Sequence, residues 1–311
     1  MSPDLTALAE GLGRLITDIS GTPLGARVAM VLALISAVAH AAFGALQKGR
    51  LDPWLTRGAI DICYGVIMLP VALLFVPRPT PEIWWMLVGV IFIHALYKLL
   101  IALAYDRGSY MAVYPIVRGT GPLVTVLAAG IVFGERFNAM QWLGILALSG
   151  GILLLGTYNL RRITLDRASL LAALVLAFFG GIMVAVYTTY DAYGIRLSPN
   201  PLTFFAWFFV FDGIFVFPWV ALWRWRRMTA RPPVSLLVSR GISGAFIGII
   251  SFGCVMLATR LDSVGEAAVL RETSVIFAGL IGWLFLREEV GIVRAALLVL
   301  IAAGAVLVEF G

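Results

Sequence analysis

The chain has 311 residues, 61% of them apolar and 13% charged, with a net charge of +6. A soluble domain carries about a quarter charged residues, so no soluble fold hides this much apolar surface, and lipid must be the solvent for most of it. The basic residues sit in short loops beside apolar runs. That excludes a nucleic-acid surface as their meaning and marks them as orientation signals.

Residues 1–25 hold no continuous apolar run of the kind a cleavable leader has. Ser2 as N-cap, Pro3 as first helical residue and Leu5, Leu8, Leu12, Leu15, Ile16 and Ile19 on one face fit an amphipathic helix on the membrane surface. A disordered segment is the alternative. Ten apolar stretches of spanning length follow, at 27–47, 56–76, 82–105, 111–133, 140–159, 169–193, 202–223, 236–258, 265–286 and 290–310. The fold class expected is therefore an all-α polytopic membrane protein with ten transmembrane helices. Pro77-Arg78-Pro79 and Ser198-Pro199-Asn200-Pro201 supply turn chemistry between them. Trp54, Trp84, Trp85, Trp223 and Trp225 fall near span ends, where amphipathic rings favour the headgroup layer. Cys63 and Cys254 lie inside apolar runs and read as buried free thiols.

The chain repeats itself. Tyr105–Leu155 aligns with Ala258–Val308 at an offset of 153, which puts Arg107 on Arg260, Arg118 on Arg271, Glu135 on Glu288 and Gly151 on Gly304. Upstream, Leu51-Asp52-Pro53 echoes Leu197-Ser198-Pro199 at an offset of 146. The expected division is a first five-helix repeat over 26–160 and a second over 161–311. Five is odd, so the two copies cross the membrane in opposite senses. Such inverted repeats characterise secondary transporters, whose site lies near the midplane between the repeats.

Ala104-Tyr105-Asp106-Arg107-Gly108, Val113-Tyr114-Pro115-Ile116-Val117-Arg118-Gly119, Phe133-Gly134-Glu135-Arg136 and Gln141-Trp142-Leu143-Gly144 together resemble the EamA repeat of the drug/metabolite transporter (DMT) superfamily. Leu286-Arg287-Glu288-Glu289 looks like a more worn second copy. The resemblance covers the chain after residue 25 and implies ten-span carriers or exporters of small metabolites. It does not specify the substrate.

Ionisable residues within spans cost about 2.5–3.5 kcal/mol each at mid-bilayer and usually face a cavity or a partner. Arg118 and Arg271 are repeat mates about seven residues into their spans. A guanidinium offers five donors in a fork that fits carboxylate or phosphate. The pair is expected either to bind the anionic group of a substrate or to brace the fold, with Glu272 as the obvious bracing partner. Pro115, Gly119, Gly121 and Pro122 surround Arg118, which predicts a break or kink there with no counterpart in span 9. His94, Tyr97 and Lys98 share a face of span 3, as candidates for substrate or proton contact. His40 with Gly44 and Gln47 in span 1, and Tyr187 in span 6, are further substrate candidates. Tyr190 and Asp191 fall close to a membrane boundary. Asp61 and Asp212 are candidates for coupling, or for pairing with Arg57 or Arg240. Gly150, Gly151, Gly180, Gly181, Gly244 and Gly248 read as close-packing positions.

Loop Lys and Arg number twelve on one side and six on the side shared with the termini. The charge count places both termini outside, whereas the resemblance implies a cytoplasmic location. No HExxH, GxSxG or metal-spaced carboxylate cluster points to an enzyme, and no cofactor, metal or catalytic residue is expected. The expected function is secondary transport of a small organic anion or zwitterion by alternating access, the anion being an amino acid, a phosphorylated or phosphonate compound, or a carboxylate. Export of cationic or lipophilic drugs is the alternative. The expected partners are a small-molecule substrate and membrane lipid, with no nucleic acid. The chain is expected as a monomer or homodimer in a bacterial inner membrane.

Overall fold

In lipid every backbone N–H and C=O must be satisfied within the chain, and a helix achieves this in one segment. The computed structural model describes residues 3–47, 51–160, 167–286 and 291–311, and among them there are thirteen helices and no strand. They are α1 (Pro3–Ile19), α2 (Pro23–Gln47), α3 (Pro53–Leu74), α4 (Pro81–Arg107), α5 (Tyr110–Phe133), α6 (Ala139–Leu160), α7 (Arg167–Leu197), α8 (Pro201–Ile214), α9 (Phe217–Arg227), α10 (Val234–Leu261), α11 (Val264–Arg271), α12 (Ser274–Leu286) and α13 (Ile292–Phe310). Leu286 closes α12, while Arg287, Glu288 and Glu289 of the second motif copy lie outside the described residues.

Proline punctuates the chain. Five helices begin on Pro3, Pro23, Pro53, Pro81 and Pro201, where the missing N–H costs nothing and the fixed φ suits the first turn. Asp52 caps α3 by accepting from Trp54 and Leu55 N–H at 2.9 and 3.3 Å. Asn200 caps α8 by accepting from Leu202 N–H at 2.9 Å. These two caps with their following prolines are the equivalent positions, so the repeat register here is 148, not the 146 expected from Pro53 and Pro199. Along the spans Val66, Phe92, Ile131 and Leu146 are exposed, as lipid-facing side chains should be.

Nine helical segments among the described residues are long and apolar enough to cross a membrane, with α8 and α9 counted as one. The tenth expected span, 265–286, is present as α11 and α12. The break therefore lies opposite to expectation. α5 runs unbroken through Pro115 and Pro122. Its small residues let neighbours close in, with Gly119 against Leu153 and Ser149 and Gly121 against Val184. The chain instead breaks at Glu272 and Thr273. There the amides of Glu272 and Thr273 reach back three residues, to Val269 and Leu270 C=O at 3.0 and 3.1 Å. The Thr273 hydroxyl also donates to Leu270 C=O at 2.6 Å. Short-range bonds and a hydroxyl that competes for a helix carbonyl end α11 without proline or glycine.

The chain divides into two compact units, Met1–Ala95 with Tyr190–Asp262 and Leu96–Thr189 with Ser263–Gly311. Each draws on both halves of the sequence, because α4 divides after Ala95 and α7 after Thr189. In the first, α3 packs on α8, α9 and α10, and α10 packs on α2. Its core holds Ile60, Met68, Ile83, Leu87, Phe204, Phe208 and Phe209. In the second, α6 packs on α5 and α13, and α5 packs on α11. Gly144 and Gly304 bring α6 and α13 to backbone contact, and Gly151 meets Ile301. Gly180 and Gly181 are packed likewise, against Ile101 and Thr120, whereas Gly150 faces open space. In the first unit Gly244 sits on Ile60 and Gly248 more loosely on Phe43. The pairings α3 with α8, α5 with α11 and α6 with α13 each join repeat mates.

Candidate functional site

In the unit Leu96–Thr189 with Ser263–Gly311, the polar residues of α5 and α11 converge. Arg118 stands mid-way along α5 and is 6% exposed, while Arg271 closes α11 and is 3% exposed. Arg118 Nη1 lies 2.8 Å from Glu272 Oε1. The guanidinium also sits over the Tyr114 ring, 5.4 Å from its centroid. Tyr97, Tyr114 and Tyr187 are all within electrostatic reach of Arg118, and Tyr187 also of Arg271 and Glu272. The Tyr97 and Tyr187 rings meet edge to face at 4.9 Å. Lys98, next to Tyr97 on α4, is buried. Five of the residues singled out in the sequence, Tyr97, Arg118, Tyr187, Arg271 and Glu272, thus gather in one cluster. Tyr105 and Tyr114 join it without having been singled out, although both stand in the quoted motif stretches.

The break between α11 and α12 presents Arg271 and Glu272 in succession. The start of α11 is held by Glu135. Gly134 ends α5 at φ 70°, a conformation that favours glycine, and the chain turns there. Glu135 then accepts from Val264 N–H at 2.7 Å, Gly265 N–H at 3.0 Å and the Ser263 hydroxyl at 2.8 Å. A carboxylate at a helix N-terminus is favoured by the exposed amides and by the helix dipole.

In the unit Met1–Ala95 with Tyr190–Asp262, a second buried cluster forms around His94. Its Nε2 is 3.0 Å from Asp191 Oδ2 and its Nδ1 3.6 Å from Asp212 Oδ1. The Tyr64 hydroxyl donates to Asp212 in a short hydrogen bond. Arg57 Nε lies 2.8 Å from Asp61 Oδ1, with Arg57 Nη2 3.9 Å from Asp212 Oδ2. Asp61 and Asp212 thus have the Arg57 partner weighed for them, while Arg240 turns to Leu46 C=O. α7 continues six residues beyond Asp191, to Leu197, and Asp191 is 5% exposed. His40 Nδ1 lies 3.3 Å from the Ser251 hydroxyl. The Gln47 side chain lies outside the described residues. A cavity of about 340 Å³ in this unit is lined by Glu10, Arg14, Arg78, Ser198 and Asn200, and includes none of the residues singled out.

A bundle of apolar helices with exposed aliphatic side chains and a few buried charges is an integral membrane protein. The EamA-like transporter family matches residues 27–157 and 171–310, the greater part of both repeats, and the chain belongs to that family. A protein of Sinorhizobium fredii called "Uncharacterized protein y4nH" is 34% identical over 67 residues, which are 22% of this chain. The match spans 56% of that relative's length. A solved structure titled "Crystal structure of protein" superposes with a TM-score of 0.69 at 16% identity, covering 92% of this chain and 98% of its own. At that identity the likeness is one of fold.

Proposed function

We propose that the protein is a secondary transporter of a small organic anion or zwitterion, working by alternating access. The observation that carries this reading is the pair of repeat mates Arg118 and Arg271, both buried, on helices that pack together. Lys98 and Glu272 are buried in the same unit. An anion entering there exchanges water for charge-assisted hydrogen bonds. The Arg118–Glu272 contact sharpens the substrate class. A guanidinium and a carboxylate side by side match a zwitterion such as an amino acid at both ends, and a ligand carboxylate competes with Glu272 for the same fork. Tyr97 and Tyr187 supply rings and hydroxyls for its remaining surface. Substrate and lipid are the partners of this reading, a bacterial inner membrane its location, and a monomer or homodimer its working form.

Uptake of radiolabelled amino acids, phosphonates and dicarboxylates into proteoliposomes tests it, beside a panel of lipophilic cations. Uptake of at least one anion or zwitterion, lost in Arg118→Ala, is the expected result. Equal uptake by Arg118→Ala and parent would remove Arg118 and Arg271 from the site. A second reading, export of cationic compounds, draws on the buried Asp191 and Asp212. Transport of the cation panel alone would favour it.

A further inference from the structure

His94 has a carboxylate at each ring nitrogen. Asp191 approaches from α7 at 3.0 Å and Asp212 from α8 at 3.6 Å. The ring is 2% exposed and packs edge-on against Phe208 and Phe252, at 5.1 and 6.1 Å. A neutral imidazole has one N–H and one lone pair, whereas an imidazolium has two N–H groups. Between two carboxylates, the neutral ring satisfies one and turns its lone pair towards the other. The imidazolium satisfies both. The second proton therefore decides whether α4, α7 and α8 are held together at this ring or pushed apart, in apolar surroundings where an uncompensated charge is costly.

The neighbouring groups define the choice of titrating residue. From α3, Arg57 and Tyr64 face Asp212, and Arg57 also faces Asp61. From α7, Tyr190 adjoins Asp191 and donates to Met86 C=O at 3.1 Å. α10 presents Phe252. On α4 itself Lys98 follows one turn later. Arginine keeps its proton and a phenol ordinarily holds its own to about pH 10, which leaves the imidazole and the carboxylates beside it as the groups that share an exchangeable proton. Among the described residues no three or more His, Cys, Asp and Glu are grouped to hold a metal ion.

We propose that His94, Asp191 and Asp212 form a proton-binding site, in which one proton joins and leaves His94 in each transport cycle. The proton comes from water, is held between a ring nitrogen and a carboxylate, and returns to water when a helix withdraws its aspartate. No electrons move. Coupling of this proton to transport rests on the reading above; its binding at His94 does not.

The chain has two histidines, so protein labelled with 15N-histidine in lipid nanodiscs gives two sets of imidazole signals, and His40→Gln assigns them. The expected result is that the His94 nitrogens pass between imidazolium and neutral positions in one step as the pH is raised. That step is displaced by about one unit in Asp191→Asn and in Asp212→Asn. His94 signals that stay fixed over the whole pH range in which the protein remains folded, or a step left where the parent has it in both variants, overturn the proposal. The parent titration stands by itself if a variant fails to fold. Titration of His94 with no anion transported sinks the transport reading and keeps the proton site; transport with a silent His94 does the reverse.

Discussion

The two compact units are assembled from mates of one repeat, yet their buried charges are opposite in sign. Lys98, Arg118, Arg271 and Glu272 are buried in one, and Asp61, His94, Asp191 and Asp212 in the other. Duplication fixes where helices break, cap and pack. It leaves the side chains at equivalent depths free to diverge, because each buried charge needs only a local partner to be tolerated. On the readings proposed above, the same frame carries a guanidinium site for anions and an imidazole–carboxylate site for protons.

The largest way to break this contrast is Arg118→Ala. It should abolish anion uptake and also cost about 3–5 kcal/mol in thermal unfolding, because Glu272 keeps a buried charge without its guanidinium. Arg118→Met combined with Glu272→Gln should recover most of that stability and none of the uptake, which separates binding from bracing. Asp212→Asn should weaken the other cluster by about 1.5–3 kcal/mol, since Tyr64 and Arg57 lose a charged partner. It should also flatten the pH profile of uptake while leaving the Arg118 unit folded by hydrogen exchange. Glu135→Ala removes three hydrogen bonds from the start of α11. About 1–2 kcal/mol of lost stability is expected, with weaker substrate affinity, because Arg271 closes that same helix. His40→Gln changes a residue whose hydrogen bond is to the Ser251 hydroxyl. It should change uptake and unfolding temperature least, and a large effect would mean that the two-cluster division is incomplete.

Much of this frame is legible in the chain. Apolar runs of spanning length give the helices, and a gap-free offset of 153 gives the repeat from Tyr105 onward. Arg118, Arg271 and Glu272 are visible because a charge in an apolar run has few innocent explanations. The burial of Asp191 has no local signal, since the apolar run ends at 193 while α7 keeps its backbone bonds to Leu197. The broken helix was misplaced because proline and glycine outweighed hydroxyls. α5 is continuous through Gly119 and Gly121, on which neighbours pack, while Glu272, Thr273 and the hydroxyl bond to Leu270 end α11. The sorting of helices into two units depends on contacts between distant segments, which no local pattern encodes.

α11 has eight residues, about 12 Å of helix at 1.5 Å per residue, against a hydrocarbon layer of about 30 Å. Together with Glu266, Arg271 and Glu272, that length makes it a poor candidate for partitioning into lipid unaided. The groups that anchor its two ends, Glu135 at its start and Arg118 beyond its finish, both belong to earlier segments. A ribosome delivers those anchors well before it makes residue 264. The order of synthesis is thus the order in which this polar segment becomes tolerable, and the second repeat is completed on a template that the first has already laid down.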